Sequence, residues 1–428
     1  MLVVASVAVF VIAYALIASE KVDRIAVAVG GAALMVVIGA TNAHNIFYEH
    51  ETGIDWGVIF LLLGMMLIVS VIQTTGVFEY LAVKAIQLAK GNPKTTFIYI
   101  VTLVALLSTM LNNVTTIMLV IPMTLVTARK LKVSPVPFIL GEVFASNIGG
   151  AGTLVGDPPN IIIGSKAGID FVEFATHMGP IALIAHVATV LLMLVLFRTK
   201  LRNNPEDRAA ALNDDARSHI TDVSLMVKSI VVLSGVIIVF LLPDLIPVDP
   251  ALVALIGSGV LILIGKVSAP VFTKDVEWGT LIFFAGLFIM VGALVNVGAL
   301  EMFADYLKGV LGDDPRVVGS IVLGASGVLS GIVDNIPYVA SMTPVIADLS
   351  ASLPLEPHNN FLWWALAVGA DFGGNLTLVG ASANIVAVAL AGKAGVDIKF
   401  WEFAKYGIPV TLVSLAVSLP YLLLRYPF

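Results

Sequence analysis

The chain has 428 residues, 59% of them hydrophobic and only 12% charged, with a formal net charge of −6. A soluble fold of this length has too little polar surface to cover so much apolar side chain, so a water-soluble globular protein is excluded. There is no cysteine, which excludes disulfides, thiolate metal sites and thiol catalysis.

Apolar runs recur along the chain, among them Leu2–Leu16, Ile25–Ala40, Val58–Ile72, Ile181–Phe197, Ile230–Leu242, Ala251–Ile264, Leu281–Val295 and Ile408–Leu424. With their flanks such runs reach roughly 18–22 residues, enough to cross a hydrocarbon layer of ~30 Å. They lack the apolar–polar alternation of a β-barrel. The expected fold class is therefore an all-α polytopic membrane protein. The first run carries no basic region before it, so it is expected to stay as a span rather than be removed as a leader.

The chain is also written twice. "DWGVIFLLLG" (Asp55–Gly64) returns as "EWGTLIFFAG" (Glu277–Gly286), and "LLSTMLNNVTTIMLVIPM" (Leu106–Met123) returns as "VLSGIVDNIPYVASMTPV" (Val328–Val345), both shifted by 222 residues. "NIGGAGTLVGDPPN" (Asn147–Asn160) returns as "DFGGNLTLVGASAN" (Asp371–Asn384), shifted by 224. Matched Gly, Asn, Trp and Pro exclude mere likeness between greasy helices. The repeats are expected at 1–198 and 224–428, joined by a cytoplasmic linker at 199–223.

Within each half the order is three spans, an amphipathic stretch, two short apolar arms around a polar tip, an interrupted span and a final span. The arms, about Thr95–Met110 and Val114–Ala128 in the first half, read as a re-entrant hairpin. Each half then crosses five times. An odd number inverts the second half relative to the first, the build of many secondary transporters. Charge supports this arrangement. With the N-terminus outside, all Lys and Arg fall on the cytoplasmic side except Lys166, Lys308, Arg316 and Arg425. Ten spans are expected, with both termini extracytoplasmic and the chain in the cell (inner or plasma) membrane. The Trp residues at 56, 278, 363, 364 and 401 suit interfacial anchoring, and His177 and His186 suit packing or an interface.

Four polar clusters fall at membrane depth: the tips "NNVTT" (Asn112–Thr116) and "DNIP" (Asp334–Pro337), and the two breaks at 147–160 and 373–384. Gly and Pro interrupt the helix there and free backbone groups, which is tolerated only where protein, water or a ligand satisfies them. The candidate substrate-binding residues are Asn112, Asn113, Thr115, Asn147, Gly149, Thr153, Asn335, Asn375 and Thr377. Asp157 and Asp334 are the candidates for proton or cation coupling, because an ionisable group at that depth is expensive unless it is used. Glu142 and Asp371 sit close by and suit either a buried role or a span end facing water. Asn, Thr and Asp can also serve simply as helix caps, and Asp157 can do both. No cofactor, metal set or nucleic-acid surface is indicated. The coupling ion is expected to be a proton, with sodium as the alternative.

At these motifs the sequence resembles the ion transporter superfamily of arsenical pumps, the melanosomal P protein, sodium/proton antiporters and divalent-anion/sodium symporters. "LNNVTTIMLVIPMTL" with "SNIGGAGTLVGDPPNIIIGS" looks most like the P-protein and arsenical-pump-like permeases. The resemblance implies a homodimer in which a scaffold holds the interface and a transport part, with both hairpins and both broken helices, moves like an elevator. This chain departs from the symporters, which carry Ser-Asn-Thr at the tips where it has Asn112–Asn113 and Asp334–Asn335. It departs from the sodium/proton antiporters at Pro158, Pro159 and Asn160. The function expected is proton-coupled export of a small inorganic ion or neutral oxyacid of the arsenite or antimonite type. Without cysteine, arsenite would be held as a neutral hydroxide by hydrogen bonds. The alternatives are a sodium/proton antiporter and a sodium-coupled carboxylate or anion symporter. An ion channel is disfavoured by the inverted repeats, and an enzyme by the lack of a nucleophile or metal set.

Overall fold

The computed structural model describes residues 1–19, 21–49, 51–202, 212, 215–243, 245–274, 276–354 and 359–426. Residues 203–211, 213 and 214 of the linker, with Arg208, lie outside the described residues. The first half runs through Leu2–Ser19, Arg24–Val37, Ala43–Tyr48, Trp56–Gln73, Val77–Leu88, Pro93–Ser108, Asn113–Leu131, Val136–Gly150, Pro158–Ala167 and Phe171–Leu196. The second runs through Val223–Phe240, Pro250–Gly265, Ala269–Lys274, Trp278–Asn296, Ala299–Leu311, Pro315–Val333, Asn335–Ser352, Phe361–Gly373, Ser382–Lys393 and Phe400–Arg425. Helix for helix the order is the same.

The sequence starts these helices in matching ways. Asp23 caps Arg24–Val37 by accepting from the Ile25 and Ala26 amides, and Asp249 does the same for Ala251 and Leu252. Asn92 and Asp314 cap the first hairpin arms, each followed by Pro at the first helical position. Gly76 and Gly298, at φ 73° and 74°, turn the chain into the amphipathic helices Val77–Leu88 and Ala299–Leu311.

The halves contact one another reciprocally. Trp56–Gln73 packs on Pro250–Gly265, and Trp278–Asn296 packs on Arg24–Val37. A Cβ on Gly64 would stand 2.7 Å from the Ala254 carbonyl carbon, and one on Gly286 would stand 2.8 Å from that of Ala28. The hairpin arm Asn113–Leu131 likewise meets Ser382–Lys393, and Asn335–Ser352 meets Pro158–Ala167. Such exchanged pairs are what a two-fold rotation between the halves would make.

Among the described residues, eight helices are long and apolar enough to cross a bilayer. Two of them, Asn113–Leu131 and Pro315–Val333, are hairpin arms of 19 residues each, longer than the sequence suggested. Arg24–Val37 and Pro250–Gly265 are shorter apolar helices, and each broken span is divided into two pieces. Leu2–Ser19 and Val223–Phe240 expose most of their apolar side chains, as lipid-facing helices do.

One expectation is corrected: Trp363 and Trp364 are buried rather than interfacial, and Trp364 meets Phe174 edge-to-face at 5.4 Å. Of the two roles open to Glu142 and Asp371 the structure shows the buried one, since both are 0% exposed.

Candidate functional site

Each break is built from the residues that interrupt it. Val136–Gly150 stops at a pair of glycines, and Pro158 and Pro159 open the next helix. Gly149 lies so close to the first hairpin that a Cβ would stand 2.2 Å from the Ala105 carbonyl oxygen. Helix stops of this kind leave carbonyl groups unpaired at depth. Asn160 Nδ2 donates to two of them, Gly150 O at 3.2 Å and Thr153 O at 3.1 Å. Asn384 Nδ2 does the same in the second half, to Gly374 O at 2.8 Å and Thr377 O at 2.9 Å. Hydroxyls then rivet each break to the hairpin of its own half. Ser108 donates to Ser146 O and Ser330 to Ala370 O, both at 2.7 Å. Thr153 donates to Thr109 O, and Thr377 to Gly331 O at 2.5 Å.

The two halves meet at one carboxylate. Asp157 Oδ2 accepts from Asn113 Nδ2 at 2.9 Å and from Asn335 Nδ2 at 3.1 Å, one amide from each hairpin tip. Asn113 also donates to Asn147 Oδ1 at 3.2 Å. Asn147 in turn donates to Asn375 Oδ1 at 2.9 Å and Asn384 Oδ1 at 3.0 Å. All of these side chains are buried. Asp157, Asn113, Asn147, Asn335 and Asn375 thus fall in one connected network drawn from both tips and both breaks.

Asp334 stands at the edge of this network. It caps the second hairpin arm through the Ile336 amide at 3.0 Å and holds φ at 123°, a backbone region that L-residues rarely occupy. Its Oδ2 accepts from Ser382 Oγ at 2.9 Å and lies 3.5 Å from Arg24. Arg24 also donates to Ser382 Oγ at 2.5 Å and lies over the Phe283 ring at 5.5 Å. Across from it, Glu277 accepts from Thr280 at 3.0 Å and from Thr115 at 3.4 Å. Arg24, Glu277, Thr280, Asp334 and Ser382 line a cavity of about 530 Å³. Beyond it, Asn112, Asn113, Asp157, Asn335 and Ser382 enclose a space of only about 10 Å³, the size of one water.

Not every candidate residue joins this cluster. Asn112 caps the first tip through the Val114 amide at 2.8 Å and lines the small space. Thr115 reaches out to Glu277. Gly149, Thr153 and Thr377 act as braces between break and hairpin. Glu142 is held by Thr124. His186 bonds Thr102 at 3.2 Å, and His177 packs on Trp364 at 4.9 Å between ring centroids. Sequence reasoning missed Arg24, Glu277, Ser382, Asn160 and Asn384. The two asparagines lay inside the quoted break motifs, at the same place in each repeat. Arg24 opens its helix and Glu277 stands at the N-cap of Trp278–Asn296, and nothing in the residues beside either signals a site.

Comparison with known proteins agrees with this architecture. Residues 14–369 match the sequence profile of CitMHS, described as citrate transporter. The chain belongs to the CitMHS family. It is 47% identical over 423 residues to a 46 kDa membrane protein of Mycobacterium leprae, covering 99% of both chains. It shares the same identity with an uncharacterized transporter of Mycobacterium tuberculosis, covering 98% of that protein. It is 31% identical to the human P protein over 495 residues, spanning 59% of that longer chain. The fold is similar to the YdaH transporter of Alcanivorax borkumensis, with a TM-score of 0.57 and 14% identity over 91% of this chain and 87% of that one. It is also similar to MtrF of Neisseria gonorrhoeae, with a TM-score of 0.59 and 13% identity over 93% and 85%. This CitMHS member is a multi-pass membrane transporter and not an enzyme.

Proposed function

We propose that the chain is a proton-coupled secondary transporter that exports a small inorganic ion or neutral oxyacid of the arsenite or antimonite type. The observation that carries this reading is the engagement of Asp157 by both hairpin tips at once. A carboxylate shared by the two halves feels any movement of either. It can therefore link loss or gain of a positive charge to the opening of one side or the other. In this reading Asp157 and Asp334 exchange the proton, while the asparagine amides and freed backbone groups hold the solute.

Charge supports a neutral or cationic solute over a free carboxylate. Asp157, Asp334 and Glu277 surround the inner space and cavity, with Arg24 as the opposing cation. Each like-charge approach at 4 Å would cost about 4 kcal/mol at an effective dielectric near 20. Citrate, which gives the family its name, would meet that repulsion unless its charge were first masked. The water-sized space at the tips favours a second reading, sodium/proton antiport on the same groups.

The reciprocal contacts between halves support inverted repeats, and the helix order supports an elevator with the hairpins and broken helices as the moving part. With the positive-inside distribution, both termini lie outside the plasma membrane and the 530 Å³ cavity opens toward the cytoplasm. We place the chain in a homodimer, as its resemblance to the superfamily implies.

The deciding experiment uses proteoliposomes with an imposed proton gradient. Arsenite flux that collapses the gradient supports the first reading, and proton flux driven by sodium alone supports the second. Sodium-dependent uptake of citrate or succinate would reject both.

A further inference from the structure

The two breaks are equivalent in backbone but not in chemistry. At the 224-residue shift, Asn147 corresponds to Asp371, Asn160 to Asn384, Ala151 to Asn375 and Asp157 to Ala381. Asn147 has two amide partners from the other half, Asn375 and Asn384. Asp371 should have the two corresponding ones, at 151 and 160. Position 151 is alanine and offers none. Asn160 stands beside Asp371, but its Nδ2 is already directed at the Gly150 and Thr153 carbonyls.

Asp371 is consequently an orphan. It is 0% exposed, and among the described residues neither of its oxygens receives a hydrogen bond of good geometry; the Asn160 amide is the donor that comes near it, and it is aimed at the two carbonyls. The unpaired atoms around it are also oxygens. Among the described residues Asn160 Oδ1 has no partner, and Asp157, which lies within electrostatic reach of Asp371, leaves Oδ1 unpaired as well. Buried acceptors with no donor are costly to leave unsatisfied, and two neighbouring carboxylates add repulsion to that cost. One positive charge among them removes both penalties. An all-oxygen set is what a proton shared between carboxylates, or a hard cation, requires.

We propose that the buried oxygens of Asp371, Asp157 and Asn160 form the seat of the coupling cation: one monovalent positive charge, supplied as a proton or as a dehydrated sodium ion. The proposal rests on the coupled-transport reading above and moves the charge-binding centre from the hairpin tips to the junction of the breaks. The other ionisable groups near it are Asp334, which lies within electrostatic reach of Asp157, and beyond that Arg24 and Glu277. Glu142, on the neighbouring helix Val136–Gly150, is engaged by Thr124.

The test is thermal unfolding of the purified full chain, first at alkaline pH with choline or sodium as the sole cation, then in choline on acidification. A ligand that binds only the folded state raises its Tm. The wild type should gain roughly 2 °C or more with sodium if sodium is the ion, or with acid if the proton is. Asp371→Asn, which places at 371 the amide found at position 147, should lose that response. It should also melt higher than the wild type in alkaline choline. Asp305→Asn, which removes an exposed carboxylate on Ala299–Leu311, should keep the response. If Asp371→Asn does not fold, Ala151→Ser supplies a hydroxyl at the missing partner's position and should shrink the response. A wild type that responds to neither ion, an Asp371→Asn that keeps the full response, or an Ala151→Ser that leaves it unchanged would overturn the proposal. These readouts need no transported solute. A failed arsenite flux with an intact, Asp371-dependent response therefore rejects only the functional reading.

Discussion

Arg24 lies 3.5 Å from Asp334, across a boundary between two parts of the molecule. Arg24 begins a helix packed on Trp278–Asn296, whereas Asp334 is the tip of the second hairpin. The first repeat offers an arginine here, but the equivalent position of the second repeat, at the start of its corresponding helix, is Pro250. The pair is thus one-sided. It fastens the second hairpin in this conformation and has no counterpart at the first.

Removing the fastening should show as a coupling between two substitutions. Arg24→Gln and Asp334→Asn should each lower stability, while the double variant recovers part of the loss. A coupling of about 1 kcal/mol is expected, modest because the arginine is partly open to water. A double-mutant cycle on unfolding midpoints measures it, and strict additivity would mean that the pair contributes nothing.

Asp157 separates charge from shape. Asp157→Asn keeps an acceptor for Asn113 and Asn335 and should leave the fold intact while abolishing gradient-driven flux. Asp157→Ala leaves both amides unpartnered and should further destabilise the protein by about 1–3 kcal/mol per buried donor. Comparing flux with Tm for the two variants distinguishes the effects. Equal destabilisation in both would argue that the carboxylate charge itself holds the network together.

Asn160 and Asn384 should both matter, Asn384 the more, because its Oδ1 also accepts from Asn147. Each satisfies two freed carbonyls, so Asn160→Ala and Asn384→Ala should each cost about 2–4 kcal/mol. Unfolding in denaturant checks this. A near-neutral result for either would mean that water takes over the carbonyls of that break.

Close backbone approach gives a steric prediction. Gly149→Ala would drive a methyl into the Ala105 carbonyl, with backbone rather than a flexible side chain in the way. It should abolish a monodisperse folded protein in size-exclusion chromatography. Gly30→Ala, which meets nothing within 4 Å, should be silent.

The sequence made the repeat legible because helix caps, tip asparagines and break glycines recur at fixed spacing, and such positions constrain backbone rather than volume. It also located the four clusters, since only special backbone needs so much Gly, Pro and Asn at depth. The role of each polar side chain was less legible. Thr153 and Thr377 look like ligand groups in the sequence, yet a helix break frees carbonyls that must first be satisfied locally, and these hydroxyls do that. Arg24 and Glu277 are silent in the sequence because nothing local shows that a span end borders a cavity formed by the other half. The orphaned state of Asp371 depends on an alanine at 151, visible only once the two breaks are seen to face one another.

The two hairpin tips, from opposite halves, close on one pocket around Asp157. The absence of native cysteine makes this directly measurable, since Asn113→Cys and Asn335→Cys would introduce the only two thiols in the chain. Cadmium or mild oxidant should bridge them within one protomer, giving an intramolecular link by mass spectrometry. No link, or a link found only between protomers, would contradict the shared pocket.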